Sequence, residues 1–504
     1  MKILILAFLL ISINAVGQGR HNNTWCFGDS AKINFNNGVV NAQGISYINT
    51  EKFSSSISDY NGSLLFYIGT PFIQNLSQYE IQILNRNDQV MLNGDSIYGL
   101  DAWSSSLIIP FVNDTNRYYA LTLYNGVIPY HGIYYSIVDM TLDSGLGAVT
   151  ARNQQIFSQD YLAPKFAAVK HANGWDWWIF CHKMLLGDTS NTFVRILLDS
   201  SGINRIDSQS IGTYYGSNIH GGYEGGQMVF SQDGTKLVAV GSNVIDLYDF
   251  DRCTGTLSNW KSLAPSGFTS PDNWFHGCSF SKDGTRFYVS TEEESTGKPD
   301  LYQFDLTAAN IGASKVKLYS ASDSLIRMCD HQIGPDGKIY ISTTYGDFPL
   351  HYNNIYTNNL SVINYPDSAG LQCNFQIASV PIGNGKITAG LPNMPNYNLG
   401  AMPNECANYT PVLSKEDENK LNIFPNPISS EELTLTSNTL TEPSTISIFN
   451  TDGKEVVCLT PALSKGEGER KSVLHIKLPK LASGMYFVVL QAGERRMTGR
   501  FVKQ

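Results

Sequence analysis

Residues 227–240 read QMVFSQDGTKLVAV: a short apolar strand, a tight turn at Asp233-Gly234, and a second strand with alternating side chains. The same grammar returns at residues 278–290 (CSFSKDGTRFYVS) and at residues 331–342 (HQIGPDGKIYIS). A third strand follows each copy, at 245–250 (IDLYDF), 300–305 (DLYQFD) and 359–364 (NLSVIN). Three clear strands and a less regular fourth, repeated about every fifty residues, predict the four-stranded blades of a β-propeller. Asp233, Asp283 and Asp336 each precede glycine where an Asp-Gly pair favours a tight turn, so we assign them to the turns rather than to a metal.

Working upstream, residues 54–67 (SSSISDYNGSLLFY) keep the strand–turn–strand pattern with Asn61-Gly62 at the turn. Residues 105–139 and 166–198 supply two more units, which brings the count to six. The leftovers at 25–40 and at 390–394 (GLPNM) supply short strands at both ends of this region. Pairing them in one shared blade removes both open sheet edges. The expectation is therefore an all-β chain with a seven-bladed propeller over residues 22–400, six blades being the alternative count.

Composition agrees with this class. The chain of 504 residues is rich in Tyr, Phe and Gly, with charged residues at 16% and a formal net charge of −9. Nothing resembles a basic face for nucleic acid, and mild acidity favours solubility. The eight cysteines show no CxxC pair and no zinc spacing. Most read as small buried residues, and a Cys373–Cys406 disulfide is one pairing that export would permit. Met1-Lys2, an apolar run to about Val16 and the small residues Ala15-Val16-Gly17 predict a signal peptide over 1–17, cut near Gln18. That run is too short to span a membrane, and no other long apolar segment follows. Pro403 and the charged residues up to Lys420 predict a linker over 401–420.

The tail, 421–504, contains Asn422-Ile423-Phe424-Pro425-Asn426-Pro427, a 445–450 strand (TISIFN), an Asp452-Gly453 turn, and Gly484-Met485-Tyr486 opening a β-branched run. A closing strand at 498–503 follows. These segments predict a small Ig-like β-sandwich, with the charged stretch 463–471 as a looped-out hairpin. The order of the motifs resembles the C-terminal sorting domain of the type IX secretion system of Bacteroidetes. That resemblance implies Pro425, Asn426, Pro427, Gly453, Gly484 and Tyr486 as the sorting motif. It also implies the outer-membrane translocon and its sorting peptidase as partners, and a secreted or surface-anchored product. The propeller resembles a group of secreted Bacteroidetes proteins that begin with W-x-F-G, as at Trp25–Gly28, and close with G-L-P-N, as at Gly390–Asn393. Its Phe-Ser-x-Asp-Gly-Thr turns also look like those of surface-layer and lactonase-like propellers.

Chemistry-bearing motifs are sparse. No G-x-S-x-G in a credible setting, no H-E-x-x-H, no P-loop and no Rossmann glycine pattern occurs. No catalytic residue, metal ligand or cofactor is assigned. Trp175-Asp176-Trp177-Trp178 offers rings for stacking on a sugar, or strand residues packed between blades. His171, His220, His276 and His331 fall near the first strands of four consecutive repeats, where side chains converge on a propeller's channel. Their spacing to the turn aspartates differs, so they are candidates for a shared site and not a repeat feature. Glu292 to Glu294 read as a solvated loop, with a cation site as the alternative. The expectation is a binding scaffold for an extracellular glycan, peptide or surface protein. The alternative is a propeller-type hydrolase, lactonase-like or glycan-degrading, with its site at the channel. A structural or gliding-associated surface protein is the third option.

Overall fold

The computed structural model describes residues 19–503, except 71–79, 100–103, 113, 125–130, 158–161, 185–188, 217–224, 265–273, 293–297, 347–352, 403–405, 407–421, 425–427, 429–430, 438–443, 451–453, 460–471 and 493–494. The chain divides into two compact units, Met1–Cys406 and Ala407–Gln504. The signal-peptide expectation lies outside the described residues.

In the first unit, the described strands form seven sheets, six of them four-stranded and in chain order. We number these blades 1 to 7. Blade 1 has three strands, Thr24–Phe27, Ala31–Asn34 and Asn41–Ala42. Blades 2 to 7 begin with the strands Ser55–Ser58, Ser106–Pro110, Leu162–Lys170, Met228–Phe230, Trp274–Phe280 and Ile326–Ile333. These first strands lie against one another in succession around a ring. Each blade is antiparallel, so its 1–2 and 3–4 turns emerge on one face of the disk, here called the turn face. The 2–3 connections and the crossings between blades emerge on the other.

Period-2 alternation explains why the sequence reads as strand yet stays apolar on both faces. In the second strand of blade 5, Lys236–Gly241, Leu237 and Ala239 join a core cluster shared with blade 4. Val238 and Val240 join the cluster shared with blade 6. A blade thus buries both faces against its neighbours, and each fully buried branched side chain contributes about 1.5–3 kcal/mol. The 1–2 turns behave as their sequence demands. Gly234, Gly284 and Gly337 have φ of +71°, +73° and +81°. The carboxylates of Asp233 and Asp283 accept the backbone N–H of Thr235 and Thr285 at 3.0 and 2.9 Å.

Ring closure uses both ends of the propeller. Lys386 and Asp29 exchange backbone hydrogen bonds of 2.7 and 3.0 Å, so the C-terminal segment meets blade 1. Sharing between the ends is as expected, but the bridge to blade 1 falls at Lys386 and not within residues 390–394. Those residues do something else, described below.

The tail is a sandwich. A three-stranded sheet (Asn422–Phe424, Glu432–Ser437, Ser472–Lys477) faces a four-stranded one (Glu455–Leu459, Ser444–Asn450, Gly484–Ala492, Arg495–Lys503). Its core contains Leu433, Leu435, Ile446, Ile448, Val488, Leu490 and Phe501. The stretch 463–471 lies outside the described residues.

One pairing differs from the reading of the sequence. Cys406 bonds Cys253, across 153 residues, and Cys373 is a buried free thiol. Cys253 sits in the 3–4 turn of blade 5, on the turn face, and the chain leaving the propeller passes beneath it. Met402 donates its N–H to Ala172 O at 2.8 Å, and Arg252 reaches Gly400 O at 2.7 Å, which carries Cys406 to Cys253.

Candidate functional site

A propeller's ligand chemistry is usually sought where its first strands converge. Here that channel is occupied by the chain itself. From Lys386 the segment passes between blade 7 and blade 2. Ala389 N–H donates to Glu51 O at 3.0 Å, and Ala389 O accepts from Asp330 N at 3.4 Å. Residues 389–400 then cross the channel as a strap toward the turn face. Leu391 N–H donates to Asp330 Oδ2 at 3.1 Å, and Asn393 N–H donates to Ser54 O at 2.8 Å. The Asn393 amide donates to Ser106 O and Phe166 O, both at 3.1 Å, in the first strands of blades 3 and 4. Asn396 reaches Gln232 O at 2.8 Å, and the Tyr397 hydroxyl reaches Ile108 O at 2.8 Å. The strap therefore satisfies carbonyls in or beside the first strands of blades 2 to 5. The cavity left beside it has a volume of about 70 Å³ and is lined by Gln227, Cys278, Ser279, His331 and Asn393 among others. Drug-sized or sugar-sized ligands need about 300–1,000 Å³, so this space suits water.

Two of the four histidines do meet at the channel wall. His276 Nε2 lies 3.5 Å from Asp330 Oδ1, with both side chains almost fully buried. His331 Nε2 lies 3.0 Å from Ser290 Oγ, and its Nδ1 lies 3.3 Å from Ser279 Oγ. Burial, reinforced by the neighbouring His276, pushes the His331 pKa down to about 3, so the ring is neutral at ordinary pH. Gln227 ties the wall together: its Oε1 accepts from Cys278 N and His331 N at 2.9 and 2.8 Å, and its Nε2 donates to His331 O at 3.0 Å. Lys165, also buried, donates to Val240 O at 2.5 Å. His182 on the second strand of blade 4 is buried too, and its pKa is pushed down to about 3, first by burial and then by Lys165. Among the described residues, no group of three or more His, Cys, Asp or Glu is placed to hold a metal ion.

His171 is elsewhere. It sits in the 1–2 turn of blade 4, where its Nε2 lies 3.0 Å from Cys253 O. His220, Glu293 and Glu294 lie outside the described residues. The three tryptophans separate by strand alternation. Trp178 is buried against blade 5, with its indole N–H donating to Arg252 O at 2.9 Å. Trp177 is buried on the opposite side, its ring centroid 6.0 Å from that of Tyr397 in the strap. Trp175 stands on the turn face, 67% exposed. Asn173 Oδ1 holds that turn by accepting from Trp175 N and Asp176 N at 3.0 and 3.1 Å.

The sequence reading passed over Gln227, Lys165, Asp330 and Asn393. Lys165 carried a visible signal, a cation inside an otherwise apolar first strand (LAPKFAAVK). Asn393 carried another, since an Asn after Leu-Pro in a region without periodicity suits a side chain that bonds backbone.

In the tail, Tyr486 is buried, stacks on Phe501 with centroids 5.4 Å apart, and donates its hydroxyl to Ala482 O at 2.9 Å. Gly484 opens its strand, while Pro425, Asn426, Pro427 and Gly453 lie outside the described residues. Residues 422–504 match the model of the secretion system C-terminal sorting domain. This tail is a sorting domain. The chain is thus a β-propeller carrying the export address of the type IX route of Bacteroidetes, and no described helix is long and apolar enough to cross a membrane. No match was found among curated proteins. Among solved structures, the periplasmic gluconolactonase of Pseudomonas aeruginosa is 11% identical, with 73% of this chain and 99% of that one covered at a TM-score of 0.43. A quinonprotein alcohol dehydrogenase-like protein of Bacteroides thetaiotaomicron is 10% identical, with 74% and 78% covered at a TM-score of 0.40. Likeness at this level says nothing about the chemistry of this chain.

Proposed function

We propose that this exported propeller works by binding, through its loop-bearing faces, and that its channel is a structural element. The strap carries this reading. It occupies the space where a channel enzyme would hold its substrate, and it leaves His331 neutral, buried and bonded to two serine hydroxyls. Trp175 is the surface residue that best suits contact with a partner, because an exposed indole on a turn fixed by Asn173 can stack on a sugar ring at little entropic cost. A signal peptide over 1–17, with cleavage near Gln18, and processing within the 401–420 linker complete the proposed export path.

The second reading, a hydrolase, draws on one observation: the buried His276–Asp330 pair beside His331 on the channel wall. One experiment separates the two. Labelled protein is applied to immobilised bacterial and host polysaccharides, and the same preparation is assayed for hydrolysis of a sugar lactone. The binding reading expects retention on a subset of glycans, weakened in Trp175→Ala, and no lactone turnover. Turnover that disappears in His276→Gln, without glycan retention, overturns it.

A further inference from the structure

A groove with a volume of about 370 Å³ lies at the seam of blades 1 and 2. Its lining includes the carboxamides of Asn34, Asn36, Gln43 and Asn61 and the cations Lys32 and Arg86. This composition has no carboxylate, in a chain whose formal net charge is −9. The acids beside the groove are already engaged: Asp88 accepts from Lys32 Nζ at 2.8 and 2.9 Å and from the Tyr67 hydroxyl at 2.7 Å, and Asp59 accepts from two backbone N–H groups of the neighbouring turn. Arg86 is different. Its Nη1 donates to a neutral backbone carbonyl, Gly145 O, at 2.6 Å, and no carboxylate pairs with it among the described residues. Its guanidinium rests on the Gly145 turn and belongs to the groove's lining, which supplies no counter-ion.

We propose that this groove binds an acidic saccharide, a hydroxylated ring bearing a carboxylate. A carboxamide both donates and accepts, which matches the two-way hydrogen bonding of sugar hydroxyls. Asn34 and Asn36 already accept hydrogen bonds and Gln43 donates one, and their other groups remain for a ligand. The Arg86 fork matches a carboxylate in bidentate geometry, and this pairing is stronger than a neutral hydrogen bond. The volume lies within the range of about 300–1,000 Å³ typical of small-ligand sites, in contrast to the channel. The turn that bears Asn61 is pre-formed: Asp59 Oδ1 accepts from Asn61 N and Ser63 N at 2.9 and 2.8 Å, leaving the Asn61 side chain for the ligand.

The inference rests on the binding reading but on a surface separate from Trp175, so the two fail separately. The test is calorimetric titration of the full chain with trigalacturonate, with neutral galactotriose and with citrate. Trigalacturonate is expected to bind at least about tenfold more tightly than either, because it alone offers both hydroxyls and a carboxylate to one site. Arg86→Gln is expected to weaken trigalacturonate at least about tenfold, and Asn61→Ala to weaken both saccharides several-fold, with tryptophan fluorescence checking that each variant is folded. Equal binding of the acidic and neutral trisaccharides, equal binding of citrate, no binding of trigalacturonate at millimolar concentration, or wild-type affinity in both variants each overturns the groove assignment. If glycan retention is nonetheless lost in Trp175→Ala, the binding reading stands and the groove alone falls.

Discussion

Replacing Asn393 by alanine tests whether the strap locks the ring. The change removes an amide that donates to Ser106 O and Phe166 O, carbonyls of two different blades. Each hydrogen bond is worth about 1 kcal/mol net, and a buried carbonyl left without a partner costs about 1–3 kcal/mol. The adjoining cavity of about 70 Å³ admits water, which would repair part of this loss. A destabilisation of about 2–4 kcal/mol follows, toward the lower end if water enters. Asn396→Ala is the matched control, since Asn396 donates to a single carbonyl at the channel mouth, and about 1 kcal/mol is expected. Urea unfolding followed by tryptophan fluorescence suits the measurement. All seven tryptophans precede Cys406, so the signal reports the propeller and ignores the sorting domain. Losses below about 0.5 kcal/mol for Asn393→Ala, or equal losses for the two variants, would refute the idea that the strap is the closing element.

Three other outcomes follow from the same geometry. Cys406→Ser opens a loop of 153 residues; the chain-entropy ceiling for such a loop is about 5 kcal/mol, so a loss of about 2–5 kcal/mol is expected in urea, while Cys373→Ser leaves the disulfide intact by mass spectrometry. His331 has its folded-state pKa depressed from 6.5 to about 3, so its contribution is present above about pH 6.5 and is lost as pH falls toward 3; unfolding free energies measured across that window should drop by up to about 4 kcal/mol, less so in His331→Gln. Gly28→Ala should cost about 2 kcal/mol more than Gly284→Ala in the same assay, because both positions have positive φ but a Cβ at Gly28 would lie 2.3 Å from Lys386 O, whereas nothing lies within 4 Å at Gly284.

What the sequence disclosed and what it hid divide along a physical line. Blade strands and their Asp-Gly turns were legible because both signals are local: a period of two and a glycine at positive φ. Trp177 and Trp178 could be separated from Trp175 only by knowing where the turn ends and the strand begins, since alternation assigns faces only after register is fixed. The strap was not legible as a strap. Residues 389–400 have no period, and their partners are backbone carbonyls of strands as distant in sequence as Ser54 and Ser106. The Cys253–Cys406 bond was hidden for the same reason, because its geometry depends on the path the strap takes. His276 and His331 lie in first strands, yet what they do is decided by Asp330, Ser279 and Ser290, which no spacing rule connects to them.

Both terminal motifs of the propeller find the same explanation. Trp25 packs on Phe35 of blade 1 and on Tyr340 of blade 7, with ring centroids 4.8 and 5.7 Å apart, so the first aromatic of W-x-F-G seals the last joint of the ring. Gly28 admits Lys386 O to van der Waals contact, and a Cβ at Gly390 would lie 2.4 Å from the carbonyl carbon of Lys52. Leu391 fills the core of that joint, and Asn393 ties three strands together. Trp25, Gly28, Gly390 and Leu391 thus serve the joint where the ring closes, and Asn393 ties the strap to the strands beyond it. Two chains sharing these motifs would therefore share a way of closing a propeller and need share no ligand. Differences in ligand would be written instead in residues that closure leaves alone, and on this chain those include Trp175 on its turn and Arg86 at the seam.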